Sequence, residues 1–134
     1  MLDGSVFGGL PVTLGVIEIR HRRTDGVVLL RLNAASLNDT DLSGTTLRGA
    51  SLAGASCVRA KLRRTDLEGA DLSGANLRDA DLREAVLWNA DLTDADLCGA
   101  DLTGAILLGA NLTGVRHNYA TRWPDGFDPR KAKL

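Results

Sequence analysis

An all-β chain wound into a narrow coil is the fold this sequence predicts, and two regularities carry the prediction. Leucine recurs at every fifth residue from Leu37 to Leu112, interrupted once by Cys57, and Ala or Thr stands two residues before each of these sixteen centres. Gly occupies the position two after the centre in nine of the sixteen repeats. On an α-helix of about 3.6 residues per turn, a step of five carries leucine round by about 140° and smears the apolar residues over the whole cylinder. On one flat strand an odd step sends successive leucines to opposite faces. Both are excluded, so the chain must bend once per repeat. Within a repeat, Ala and Leu lie two apart and share one side of a short extended segment, which leaves the next two residues free to turn. Gly tolerates the positive φ of such a turn, and most of the other seven corner residues are Asp, Asn or Arg.

The expected core is therefore a ladder of Leu37, Leu42, Leu47, Leu52, Cys57, Leu62, Leu67, Leu72, Leu77, Leu82, Leu87, Leu92, Leu97, Leu102, Leu107 and Leu112. Cys57 puts a smaller side chain in one rung and reads as core with a modest local void. Runs such as Ala70-Asp71-Leu72-Ser73-Gly74, Ala75-Asn76-Leu77-Arg78-Asp79 and Ala100-Asp101-Leu102-Thr103-Gly104 resemble the bacterial pentapeptide repeat family, whose unit is Ala-(Asp/Asn)-Leu-x-x. The resemblance covers residues 35–114. It implies a right-handed quadrilateral β-helix, a pentapeptide repeat solenoid with four repeats per coil and about four coils. Coils would stack about 4.8 Å apart. Burial of each leucine contributes about 1.5–3 kcal/mol, enough together to offset much of the ordering entropy of a chain that is only 4% aromatic.

The flanks read as caps. An open solenoid end exposes a rung and unpaired strand edges, which invite association. Residues 1–34 contain two apolar runs, Pro11 to Arg20 and Val27 to Leu32, around the polar stretch His21 to Gly26. With Asp25-Gly26 as the turn signal, this is an expected β-hairpin cap. Val27 and Leu32 continue the five-residue register backwards, which would put the second strand in the first coil. Residues 115–134 form an expected capping tail, with Tyr119, Trp123 and Phe127 plugging the last rung around a Pro124-Asp125-Gly126 turn. The stretch from Thr121 to Pro129 also resembles the tail that follows many bacterial pentapeptide repeats, which implies bacterial origin and a capping role without activity.

A chain of 134 residues, 44% apolar and 25% charged, suits one ordinary domain. No stretch is long and apolar enough to cross a bilayer, and the N-terminus lacks the flanks of a secretory signal. A cytoplasmic protein without membrane contact is expected. In the five-residue register Cys57 faces inward and Cys98 outward, two coils apart, so no disulfide joins them. Free thiols fit a reducing compartment.

Catalysis is not expected. The only histidines are His21, in the hairpin turn, and His117, at the end of the repeats. A catalytic or metal site needs convergent ligands or an acid and base in a cleft, and a square rod has none. No phosphate loop, zinc spacing or nucleophile elbow appears, so neither cofactor nor metal is expected. The aspartates before leucine, at positions 41, 66, 71, 81, 91, 96 and 101, come with the repeat and read as structural. Residues 1–34 carry +1, residues 35–74 are neutral, residues 75–114 carry −5 and residues 115–134 carry +3. Arg59, Lys61, Arg63 and Arg64, continued by Arg78 and Arg83, form a basic cluster, but Asp79, Asp81 and Glu84 interrupt it. The field needed for nucleic-acid binding is missing.

The third face differs. Its outward positions on the upper two coils are Val86, Trp88, Ile106 and Leu108, where other faces carry polar residues. A contiguous apolar group with an aromatic marks a contact site. Three readings are open: the tail folds back with Trp123 or Phe127 as a lid, a second copy docks to give a homodimer, or another protein binds. The functional reading is a non-catalytic interaction scaffold. The family resemblance also implies an alternative, a DNA-mimicking modulator of a type II topoisomerase such as DNA gyrase. Members of that kind tend to have Phe centres and acid along the whole rod, whereas here the centres are Leu and basic residues break the columns.

Overall fold

Each repeat makes one side of a four-sided coil because the leucine carbonyl closes a turn three residues on. Thr45 N–H donates to Leu42 O at 3.2 Å, Ala70 N–H to Leu67 O at 3.0 Å and Ala95 N–H to Leu92 O at 2.9 Å. The third residue of each turn has positive φ, whether it is Gly69 at 65° or Asp79 at 56°, the sign a type II turn requires. Four corners return the chain after twenty residues, so Asp41 pairs in parallel with Lys61, Lys61 with Asp81 and Asp81 with Asp101. The result is a right-handed quadrilateral β-helix. It is seen in a computed structural model that describes residues 16–24, 28–33, 36–132 and 134.

Coils are tied in both directions. Leu62 N–H donates to Asp81 O above it at 2.8 Å, and Asp81 N–H donates back to Ala60 O at 3.0 Å. The same exchange recurs on each side, so the backbone of the inner coils is satisfied as a parallel ladder. The Asp or Asn before leucine has its own task. Its Oδ1 accepts the amide two residues on, from Ser43 to Asp41 at 3.0 Å, Arg83 to Asp81 at 3.2 Å and Thr103 to Asp101 at 3.0 Å. This Asx arrangement pre-forms the corner that follows.

The interior is apolar. The central leucines from Leu62 to Leu102 are buried, Cys57 with them, and the alanines form a second buried tier at the corners. Where Thr replaces Ala its hydroxyl is satisfied: Thr65 Oγ1 donates to Leu42 O at 2.8 Å and Thr121 Oγ1 to Leu97 O at 2.9 Å. Burial pushes the Cys57 thiol up to about 11, so it is an inert core group.

At the N-terminal end, β1 (Val16–His21) and β2 (Val28–Asn33) pair antiparallel, and β1 also pairs antiparallel with β3 (Ala50–Ser51). Strand order is β2-β1-β3. The expectation that the second strand enters the first coil is therefore corrected. β1 abuts the coil and β2 lies outside it, because the reversal lets β1 place Ile19 in the core, where it is buried. The expected turn at Asp25-Gly26 and the start of the first run lie outside the described residues.

At the other end the coil does not stop at residue 114. Arg116 pairs with Asp96, and Arg122 pairs with Asp101. The second step is twenty-one residues, not twenty, so one extra residue is accommodated in the turn around Asn118. This half-coil covers only two sides of the last full coil. Leu107, on the third side, is only partly buried and not a closed rung. Trp123 and Phe127 stack on each other at 4.8 Å between ring centroids and pack partly buried against the core, with His117 edge-on to Trp123. Tyr119 is fully exposed and plugs nothing, because it falls in the turn that takes up the extra residue.

Candidate protein-contact surface

The third side is built from two outward columns. Thr46, Asp66, Val86 and Ile106 stack in one, joined by parallel bridges. Arg48, Glu68, Trp88 and Leu108 stack in the other, and the corner amides Gly49, Gly69 and Asn89 donate to the carbonyls of Glu68, Trp88 and Leu108. Each column changes from polar to apolar halfway up. Below, Arg48 binds Asp66 at 2.7 Å and Glu68 at 2.8 Å. Above, Trp88 is 45% exposed, Ile106 48% and Leu108 68%, with Val86 half-buried between them. The aromatic pair of the tail is packed on the end of the solenoid, and these side chains remain open to solvent.

Elsewhere the arginines of the first three coils pair with carboxylates, across coils or within a repeat. Asp39 takes both a 2.7 Å and a 2.9 Å bond from Arg59. Arg63 and Arg64 converge on Glu84 at 2.9 and 2.8 Å, and Arg83 binds Asp81 at 2.6 Å. The side-chain hydrogen bond from Arg59 holds Asp39 below its ordinary pKa, and that from Arg83 does the same for Asp81. The arginines of the basic cluster seen in the sequence are thus paired cations, with exposed pairs of small individual worth.

Asp96 is the exception in burial, at 3% exposed. Cys98 N–H donates to it at 3.0 Å, and Arg78 and Arg116 reach it from the coils below and above at 3.3 and 2.9 Å. Burial raises its pKa, but the Cys98 hydrogen bonds and the two arginines outweigh that and hold it below the ordinary 3.8. Burial and the neighbouring Asp96 raise the Cys98 thiol, so this free cysteine is not an activated nucleophile. A carboxylate depressed on folding adds stability above its unfolded pKa, and that contribution is lost as pH falls through the folded value. Asp96→Asn is expected to cost about 1–3 kcal/mol at pH 7 and to flatten the acid limb of the stability curve below about pH 4. Urea melts at pH 3 and pH 7 check this; an unchanged acid limb would place the proton uptake elsewhere.

Among the described residues no group of three or more His, Cys, Asp and Glu is placed to hold a metal ion, and no helix is long and apolar enough to cross a membrane. A family model described as pentapeptide repeats (8 copies) matches residues 31–69, 40–79 and 80–116. The chain belongs to the pentapeptide repeat family. Among solved structures it is similar to Rfr23, a pentapeptide repeat protein from the cyanobacterium Cyanothece 51142, at 42% identity and a TM-score of 0.52 over 62% of this chain and 53% of that one. It is similar also to alr5209 from Nostoc, at 39% identity and a TM-score of 0.41 over 75% of this chain and 78% of that one. HetL, a Nostoc pentapeptide repeat protein involved in heterocyst differentiation regulation, matches at 41% identity with a TM-score of 0.39 over 62% of this chain and 40% of that one. The chain thus spans about half the length of Rfr23 (53%). A comparison with curated proteins gives no match.

Proposed function

We propose that this chain is a non-catalytic scaffold whose third side, through Val86, Trp88, Ile106 and Leu108, docks on a protein surface. The observation that supports the reading is an aromatic and two large aliphatic side chains, each between 45% and 68% exposed, stacked in register on a rod whose other faces are polar. A rigid parallel ladder fixes their backbone, so little further ordering is lost on contact, which favours binding. Trp88 is the natural anchor, since truncated aromatic hot spots typically cost about 2 kcal/mol or more. A topoisomerase-directed DNA mimic is the weaker reading, because Arg59, Arg64 and Arg83 interrupt and pair the acidic columns that would have to imitate phosphates.

Light scattering over a wide concentration range, comparing the wild type with the Trp88→Glu, Leu108→Glu double variant, tests the docking surface. Both side chains point outward, so the variant is expected to keep its fold. A wild-type dimer converted to a folded monomer makes the second copy the partner. With a wild-type monomer, a partner captured from the source cell by the wild type is expected to be lost by the variant. A double variant that unfolds, or retains every partner, removes this face from the function.

A further inference from the structure

Where the third side turns into the fourth, the corner residues of the first two coils are Gly49 and Gly69, and the end of β1 lies across them. The gap is a pocket of about 340 Å³ lined by His21, Arg22, Arg23, Arg48, Glu68 and Asn89 together with the two glycines. Gly49 leaves room for the ring in this position: its φ is +66°, and a Cβ would come within 2.2 Å of His21 Nε2, so any larger residue would displace the imidazole. The other ring nitrogen, Nδ1, accepts the Arg23 amide at 3.2 Å and lies 3.0 Å from Thr24 Oγ1. A backbone N–H can only donate, so Nδ1 is an acceptor and the neutral ring carries its proton on Nε2, beside the Gly49 corner.

Three guanidinium groups join this fixed donor. Arg22 Nη1 reaches the neutral carbonyl of Gly69 at 3.3 Å. Arg23 has no side-chain hydrogen bond or ion pair among the described residues. Arg48 is held by Asp66 and by Glu68, the one carboxylate of the pocket lining. Two arginines therefore bring charge that, among the described residues, no carboxylate hydrogen-bonds. Asp91 lies close enough to Arg22 to feel its charge, but Asp91 Oδ1 is engaged by Thr93. Guanidinium forks suit oxyanions with several oxygens, and a pocket near the lower end of the roughly 300–1,000 Å³ range of ligand sites has room for one such group with a small substituent.

We propose that this pocket binds a phosphoryl group, a tetrahedral dianion held by Arg22, Arg23 and the His21 Nε2–H, with Arg48 at the margin. The group could be borne by a small phosphomonoester or by a phosphorylated side chain, which share this chemistry. The test is an amide and imidazole NMR titration of the full chain at low ionic strength with inorganic phosphate, sulfate and acetate. Saturable shifts confined to residues 21–24, Gly49 and Gly69 are expected, with both dianions at least about fivefold tighter than acetate. Arg22→Gln and Arg23→Gln, both exposed side chains, are each expected to weaken phosphate about five- to tenfold and leave the remaining spectrum unchanged; Arg130→Gln, paired to Asp128 away from the pocket, changes neither. Glycerol 3-phosphate and a Gly-Gly-phosphoserine-Gly-Gly peptide then assign the source by which binds tighter. Shifts that never saturate, acetate binding as tightly as phosphate, or an unaltered affinity in both arginine variants would overturn the assignment.

Discussion

Leu82→Ala is expected to destabilise the protein by about 2–5 kcal/mol, and Leu107→Ala by distinctly less. Leu82 is fully buried in the second side, between Leu62 below and Leu102 above. The cost of a deleted side chain depends on how far the surroundings can close over the void, and here they can hardly close at all. Leu62 N–H is fixed to Asp81 O and Leu82 N–H to Asp101 O, both at 2.8 Å, so coil spacing is set by the backbone ladder and not by the side chains. Leu107 sits under the open half of the last coil and is only partly buried already, so its removal forfeits less burial. Urea midpoints of the two variants measure the difference. Equal losses would mean that the end of the solenoid is as tightly closed as its middle.

The ladder was legible in the sequence because one physical rule repeats sixteen times with a single change of side chain, Cys57: an inward leucine, a small residue two before it and a turn two after it. The aspartates before leucine were legible only in part. Their spacing marked them as structural, but their geometric task, accepting the amide two residues on, appears only when the corner is built. The ends were harder still. Nothing local distinguishes a β2 that continues the coil from a β1 that reverses against it, since Val27 and Leu32 keep the register either way; burial of Ile19 decided the matter. The insertion near Asn118 likewise moves Tyr119 out to solvent and leaves Trp123 packed on the core, a one-residue effect that composition does not reveal.

The two candidate sites divide in the same way. The apolar third side could be laid out from the twenty-residue stacking alone, and Val86, Trp88, Ile106 and Leu108 share one side of the upper coils. The arginine pocket could not. It joins residues 21–23 to 48 and 68, which are neighbours only because β1 crosses the Gly49 corner. The available signal was indirect: a His21-Arg22-Arg23 run, and glycine at the corners Gly49 and Gly69. Both sites border the same outward column, with Arg48 and Glu68 at one end and Trp88 and Leu108 at the other.

Ala85→Leu tests the second tier of the core, and is expected to cost about 1–3 kcal/mol or more by overpacking, while Ala85→Thr is expected to stay within about 1 kcal/mol. Ala85 is fully buried at the corner that leads into Val86. Its amide donates to Leu82 O at 3.1 Å and its carbonyl accepts from Ile106 N–H at 2.9 Å, so the backbone cannot move outward to admit three more carbons without breaking the turn or the ladder. Thr is different in kind, because the corner below already holds one. Thr65 is fully buried with its hydroxyl on Leu42 O, and the hydroxyl introduced by Ala85→Thr would find Leu62 O in the equivalent place one coil higher. The pair of variants therefore separates volume from polarity. A stable Ala85→Leu would show that the corner tier has slack, and a Thr variant as damaging as Leu would show that the carbonyl is out of reach. Trp88 fluorescence reads the consequence for function: strain at Ala85 enters the contact surface through Val86, so the Leu variant is expected to alter the Trp88 environment and the Thr variant to leave it unchanged.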